Sequence, residues 1–418
     1  MNSKKFLAFT MAAAMTLSLA ACGGNGGDAG SSGGSSASGS TGDTSTGGVT
    51  AGTTVKEVVD PTGAAFKIGA TGPLTGGASI YGLAAYRGAQ IAVNEINSEG
   101  GDIQFELNYQ DDQNVPETAV NAYNNLKDWG MQISLGSVTT QPGIATSQYN
   151  FEDRIFALTP SASSPDVISG KDNVYQMCFS DPNQGLASAQ YISEQNLGEN
   201  VYIIWKNDDV YSTGIKDQFV AEAEELGLNI VGNSTFTEDT KSDFTVQLTD
   251  AQQKGADLVF LPMYYEPASL ILTQADAMGY EPKFFGVDGM DGILTMDGFD
   301  ASLAEGVMLL TPFNADATDD ATVAFVTKYQ DLYGEAPNQF AADGYDCIYA
   351  LKLALETAGC TPDMTAEAIN DALIAAFPTI TLTGLTGDGE GITWDSTGAV
   401  SKAPKGMVIE NGAYVGMD

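Results

Sequence analysis

The chain has 418 residues, with 17 Lys+Arg, 54 Asp+Glu and no histidine, for a formal net charge of −37. So acidic a chain cannot neutralise phosphates, which excludes nucleic acid as a partner. Without histidine there is no Ser-His-Asp or Cys-His nucleophile pair and no His-ligated zinc, while 43% hydrophobic residues and this length predict two domains with large cores.

Residues 1–21 read as a secretory signal: Lys4 and Lys5, then an apolar run over 6–21. Leu19-Ala20-Ala21-Cys22 resembles the bacterial lipobox, which implies cleavage before Cys22 and acylation of its thiol. Residues 23–48 contain 11 Gly and 7 Ser among 26. Such a segment cannot bury enough surface to offset its ordering entropy, so 22–64 is expected to be a flexible lipidated tether. Gly30-Ser31-Ser32-Gly33-Gly34 matches the hydrolase G-x-S-x-G pattern, but no strand precedes it and no histidine exists to activate the serine. Loss of 1–21 removes two lysines and no acid, giving 15 − 54 = −39.

From residue 65 the pattern alternates between short strands and amphipathic helices. A strand over 66–70 is followed by Ala89, Ala92, Val93 and Ile96, one helical face. Ile103, Phe105, Leu107 and Tyr109 alternate as a strand. Pro116 opens a helix with the stripe Ala119, Val120, Tyr123 and Leu126. Strands are predicted over 133–136 and 155–158. In a second series, strand 201–205 precedes a helix over 211–226, which Gly227 stops. A strand from Ile230, a helix over 244–254, strand 258–261, a helix through Leu270 to Met278, and strands 283–286 and 307–310 follow. Helices return over 321–333, 339–357 and 365–376. This is an α/β pattern of two doubly wound parallel-sheet lobes, with ligands bound outside the carboxyl ends of the strands. Cys178, Cys347 and Cys360 read as small buried apolar residues; Cys347 lies roughly 20 Å of helix from Cys360, which disfavours a disulfide.

Five loops then carry the interest: 71–82, 137–143, 159–165, 206–214, and the pair 263–267 and 287–292. After the third strand, Gly136-Ser137-Val138-Thr139-Thr140-Gln141-Pro142 places hydroxyls and free N–H groups at a helix start, which can cap the helix or hold an anion. Pro160-Ser161-Ala162-Ser163-Ser164-Pro165 offers more donors, although both segments also fit plain capped turns. In the second series Tyr211, Tyr264 and Asp288 follow strand ends. An acid there pairs with an ammonium group, and tyrosines cover an apolar stem. Taken singly, Tyr264 also fits core packing and Asp288 a turn. Anion donors on one lobe and a carboxylate on the other suit a small zwitterion.

The order of several motifs resembles the leucine/isoleucine/valine-binding proteins, solute receptors of branched-chain amino-acid ABC transporters. Lys67-Ile68-Gly69, Gly72-Pro73-Leu74-Thr75-Gly76 and Tyr81-Gly82 look like that family's first strand and loop. Gly88-Ala89, Ala92-Val93-Asn94-Glu95-Ile96-Asn97 and Gly100-Gly101 resemble its first helix. Tyr109-Gln110-Asp111-Asp112, Ser180-Asp181-Pro182-Asn183-Gln184-Gly185, Gly279-Tyr280 and Ile392-Thr393-Trp394-Asp395 also match. The resemblance implies a type I periplasmic binding protein fold joined by three hinge crossings, near Asp181, Pro312 and Lys402. The lobes are expected at 65–181 plus 313–401 and at 182–312 plus 402–418. It places the carboxylate-binding hydroxyl on Thr140 with Thr139 beside it, a backbone contact on Ser161 and a second hydroxyl on Ser163. It also places a first-loop aromatic on Tyr81, far-lobe tyrosines on Tyr211 and Tyr264, and the ammonium partner on Asp288, where well-known members have Glu. The family's disulfide is not expected, because Asp111-Asp112-Gln113-Asn114 lacks the cysteine, and those acids read as a solvated loop. Trp205, Tyr81 and Tyr265 are candidates for shaping the pocket.

The implied function is a lipoprotein, anchored through Cys22 on the outer face of a bacterial cell membrane, that captures an amino acid and delivers it to an ABC permease as a monomer. No cofactor or metal is expected. A sensor of the same fold and a secreted hydrolase or metal-dependent enzyme are the alternatives; Thr386-Gly387-Asp388-Gly389-Glu390-Gly391 superficially suggests a cation loop but lacks the alternating oxygen ligands of one.

Overall fold

Each apolar strand run pairs into one of two sheets. The computed structural model describes residues 55–387, 389 and 391–417; the expected signal, Cys22 and the segment 23–48 lie outside the described residues, as do two acids of the suspected cation loop, Asp388 and Glu390. The first sheet takes β1 (Phe66–Gly72), β2 (Phe105–Asp111), β3 (Ile133–Leu135), β4 (Ala157–Thr159) and β5 (Val174–Gln176) in the order β2-β1-β3-β4-β5. All four pairings are parallel. The connecting helices are α1 (Ser79–Glu99), α2 (Pro116–Trp129) and α3 (Thr140–Asp153). Strands β3 and β4 are three residues long, each with one hydroxyl residue, Ser134 or Thr159, and are buried throughout, as strands covered on both faces must be.

The chain crosses into α4 (Asp181–Glu194) and builds the second sheet from β6 (Val201–Lys206), β7 (Ile230–Phe236), β8 (Leu258–Leu261), β9 (Lys283–Gly286) and β10 (Met308–Thr311), with α5 (Val210–Leu226), α6 (Thr245–Gln253) and α7 (Tyr265–Ala277) between them. It then returns to the first lobe as α8 (Asp320–Tyr333), α9 (Gln339–Ala358) and α10 (Ala366–Ala376). A last crossing leads to β11 (Lys405–Glu410) and β12 (Ala413–Gly416), which extend the second sheet antiparallel beside β10. The sheet order is β12-β11-β10-β9-β8-β6-β7.

Four elements are absent from the sequence reading. Strand β5 is too short and too polar to show a period. Helix α4 begins Asp-Pro-Asn-Gln-Gly, which reads as a turn, and the β11–β12 hairpin has only short runs. The two lobes share one packing device. A methyl group at Gly88 of α1 would lie 1.8 Å from the Ala341 carbonyl of α9, and one at Gly185 of α4 would lie 2.3 Å from the Ile215 carbonyl of α5. In each lobe a glycine lets two helix backbones meet.

The final crossing carries Lys402, whose Nζ lies 2.5 Å from Asp343 Oδ1 of α9, with both side chains buried. The pair ties the hinge to the first lobe, and removing either partner would strand a buried charge. The expected tether is shorter than 22–64. Val59 N–H donates to Asn94, Asn94 Nδ2 to the Glu57 carbonyl, and Thr62 N–H to Gln104, so residues 57–62 are docked on the first lobe.

Candidate functional site

The loops at the carboxyl ends of the strands converge, as the crossovers of parallel sheets require. Tyr81, Thr139, Thr140, Ser161, Ser163, Tyr211, Tyr264 and Asp288, the eight residues expected from the sequence, all line one narrow cavity with Val138, Gly289 and Phe340. Its walls stand close, with about 10 Å³ between them. A wider cleft of about 320 Å³ opens outward past Tyr264. Its lysines, Lys206 and Lys241, are paired with Glu238 and Glu266. The inner cavity instead holds hydroxyls without partners.

On the first-lobe wall, the hydroxyls of Thr139, Thr140 and Ser163 are buried without a hydrogen-bond partner. Thr139 is the N-cap of α3, yet its side chain makes no cap bond. The capping alternative is therefore not realised: the hydroxyls face the cavity at the positive end of the helix. The Ser161 N–H has only a long bond of 3.3 Å, to Thr159 Oγ1.

The second-lobe wall is internally bonded. Tyr211 OH donates to Asp288 Oδ1 at 2.5 Å and accepts from Gly289 N–H at 3.0 Å, while Asp288 N–H donates to Gln184 Oε1 at 3.1 Å. Burial pushes the Asp288 carboxyl up to about 6, against the pull of Tyr211, Gln184 and Gly289. Gly289 is obligatory for this loop, because a Cβ there would lie 2.6 Å from Tyr211 OH and 2.9 Å from the Met263 carbonyl. Tyr264 packs at 4.9 Å from Tyr211 and 5.2 Å from Tyr81, between centroids.

Tyr81 joins the two walls. It stands on α1, donates to the Gly289 carbonyl at 2.5 Å and accepts from Tyr265 N–H at 3.1 Å, so its hydroxyl is committed across the lobes. Phe340, absent from the sequence reading, packs 4.6 Å from Tyr81. Its only sequence signal was its place in an apolar helix start. Trp205 and Tyr265 do not line the cavity; the Trp205 ring carries Lys216 at 4.4 Å, and Tyr265 OH accepts from Ile80 N–H at 3.4 Å.

Two acids depart from expectation. Asp181, marked in the sequence as a crossing and as part of the Ser180-to-Gly185 motif, is fully buried with no partner on either oxygen. Its N–H donates to the Ser163 carbonyl at 3.1 Å, which sets it directly behind the cavity wall. Burial pushes its carboxyl well up; the Ser163 hydroxyl stands near enough to oppose the shift without forming a well-aligned bond, and Asp288 adds to it. Asp112, expected in a solvated loop, is buried as well. Its Oδ1 accepts from Asn114 N–H at 2.9 Å, its Oδ2 has no partner, and burial raises it to about 7. Its N–H donates to the Gly72 carbonyl of β1, and the neighbouring Asp111 accepts from Leu74 N–H and Thr75 Oγ1 of the first loop. No cluster of three or more potential metal-ligating acids or cysteines occurs among the described residues, and Cys178, Cys347 and Cys360 are free and buried.

Two lobes shut on a cavity, with free donors on one wall and a buried carboxylate on the other, define a solute-binding protein that closes around a small ligand. The chain belongs to the periplasmic binding protein family, whose profile matches residues 65–402. It is 29% identical over 311 residues to the Leu/Ile/Val-binding protein BraC3 of Rhizobium johnstonii, covering 73% of this chain and 82% of that protein. It is 28% identical over 314 residues to a leucine-, isoleucine-, valine-, threonine- and alanine-binding protein of Pseudomonas aeruginosa, covering 72% and 81%. The branched-chain amino acid transporter substrate-binding protein LivJ of Streptococcus pneumoniae, solved in complex with isoleucine, superposes with a TM-score of 0.75 at 26% identity, covering 84% of this chain and 97% of that one. The family consists of substrate-binding proteins rather than enzymes and acts outside the cytoplasm. No helix among the described residues is long and apolar enough to cross a membrane.

Proposed function

We propose that the protein captures an amino acid, branched-chain or a similarly small zwitterion, between its lobes and delivers it to the permease of an ABC importer. The observation that carries this reading is the charge pattern of the inner cavity. Unpartnered hydroxyls of Thr139 and Thr140 at the N-terminus of α3, and of Ser163 in the loop after β4, share the cavity with Asp288, and no Lys or Arg lines the space. A carboxylate fits the first wall and an ammonium group the second. Closure would strip water from the ligand and strengthen each of these contacts. The names of the relatives point to the same ligand class.

The working division of the chain is 65–181 plus 313–401 for one lobe and 182–312 plus 402–418 for the other. In this reading a tether from Cys22 to about residue 56 holds a monomer at the outer face of the membrane through the lipidated cysteine. A thermal-shift screen of the purified protein tests the ligand assignment. Stabilisation by an α-amino acid, and none by the amine-free acids 4-methylpentanoate and benzoate, is expected. No shift with any amino acid at millimolar concentration would sink the reading, and stabilisation by the amine-free acids alone would replace it with a carboxylate carrier.

A further inference from the structure

The loop that carries Asp288 is held on two sides. Its cavity side is bonded within the second lobe and α4, through Tyr211 and Gln184. Its outer side is bonded to the first lobe. Gln339 Nε2 donates to the Asp288 carbonyl at 3.0 Å, Tyr81 donates to the Gly289 carbonyl, and the backbone N–H of Gln339 donates to Asp291 Oδ2 at 2.9 Å. The last bond differs from the others in carrying charge.

Gln339 is the first residue of α9, a helix of twenty residues with no acid in its first turn. Its N-cap, Asn338, takes the N–H of Ala341 and leaves that of Gln339 to another acceptor. Asp291 supplies that acceptor from the opposite lobe. A carboxylate at a helix N-terminus satisfies a donor that has no partner within the helix and meets the positive end of its dipole. Asp291 is 2% exposed. Its own lobe offers Thr311 Oγ1 at 3.4 Å from Oδ2, and the Tyr414 hydroxyl and Gly292 N–H also act on the carboxylate. The Gln339 N–H is the donor that reaches it from the other lobe. The approach is close: a Cβ at Gly292, which has φ 100°, would lie 2.6 Å from Ile80 of α1.

We propose that Asp291 is a positioning residue for capture: its carboxylate caps α9 across the cleft only when the lobes are shut, and so holds Asp288 at the cavity. When the lobes part, the acid loses this donor and α9 loses its anion, so the bond favours the shut state alone. Any ligand that binds only that state gains affinity in proportion to its population. The affinity readout rests on the amino-acid reading given above; the closure readout does not.

The test compares Asp291→Ala, Gln339→Ala and Gln339→Pro with the wild-type protein, by titration with leucine and by radius of gyration from X-ray scattering. Gln339→Ala removes only the side-chain bond to Asp288. Gln339→Pro also removes the N–H that Asp291 accepts, at a helix position where proline is favoured. The Asn338 backbone there is extended (φ −99°, ψ −179°), as a residue preceding proline requires. Expected is a leucine affinity about tenfold or more weaker in Asp291→Ala and Gln339→Pro, with a smaller loss in Gln339→Ala. The ligand-free radius of gyration should rise in the first two and return to the wild-type liganded value at saturating leucine. Purely structural damage would lower the melting temperature without changing affinity or radius. Leucine affinity within about threefold of wild type, together with an unchanged radius, overturns the proposal. If the wild type does not bind leucine, that ligand assignment fails and the ligand-free radius alone decides the latch. If Asp291→Ala does not fold, Gln339→Pro decides.

Discussion

On the first-lobe wall of the cavity three hydroxyls are desolvated and unpaired; on the second-lobe wall the one carboxylate is already hydrogen-bonded by a tyrosine that also holds the next backbone amide. The first wall carries a standing cost, since a buried donor without a partner loses its hydration for nothing. The second is pre-organised, and its network keeps Asp288 in one place before anything binds. For the zwitterion proposed as ligand the two walls would then act differently: the uncharged wall would gain most on binding, and the charged wall would set which ligands are admitted.

The comparison breaks most completely at Asp288. Asp288→Ala removes the only acid lining the cavity and should weaken amino-acid affinity by about 3 kcal/mol or more, at least a hundredfold, with an unchanged far-UV circular dichroism spectrum. Retained affinity would remove Asp288 from the site. Next in size is Gly289→Ala. Its methyl group must displace Tyr211 or the Met263 carbonyl, so both stability and affinity should fall, stability by about 1–3 kcal/mol in denaturant titration. An unchanged midpoint would mean that the second wall is softer than its bonding implies.

A smaller change sharpens the contrast between the walls. Thr140→Val deletes an unpaired hydroxyl at nearly constant volume. The ligand-free protein should gain up to about 1 kcal/mol while affinity for the bound amino acid falls about tenfold. The matching change on the other wall, Tyr211→Phe, should lower both, because it leaves Asp288 Oδ1 and Gly289 N–H without their partner. Parallel behaviour of the two variants would erase the distinction drawn between the walls.

That the candidate residues would gather at one place was readable from the sequence, because parallel α/β topology fixes where loops meet. Once strands end near residues 135, 159, 206, 261 and 286, the polar residues that follow must meet, and the family resemblance supplied the register. What escaped depended on three-dimensional burial. Phe340 comes from a helix start more than fifty residues beyond Asp288 in the chain. Asp181 and Asp112 are polar residues in turn-like contexts, and only the packing of other loops over them reveals that they are dry. The antiparallel β11–β12 hairpin was missed for a different reason: its six and four residues give no periodic signal before pairing.

The smallest predicted effect concerns those dry acids. Burial raises Asp112 to about 7, and Asp288 and Asp291 to about 6, so the folded protein holds these protons more tightly than the unfolded chain does. Their contribution to stability is complete below pH about 4 and is lost as pH rises through about 6 to 7. Surface acids such as Asp319 and Asp395, held below the usual carboxylate range by hydrogen bonds, act in the opposite sense and lose their contribution as pH falls below about 4. The ligand-free protein should therefore melt highest near pH 4–5 and lower at pH 8. Asp112 stands apart from both cavity walls, which makes it the cleanest probe. Asp112→Asn keeps the oxygen that accepts from Asn114 and removes the titrating proton, so it should match wild type at pH 5 and melt higher than wild type at pH 8. Superimposable pH profiles for the two proteins would show that Asp112 is hydrated in solution. The decline toward pH 8 would then belong to the other acids that burial raises, Asp181, Asp209, Asp288, Asp291, Asp343 and Asp346, and to the general repulsion of so acidic a chain. An amino acid whose ammonium group pairs with Asp288 should lessen it.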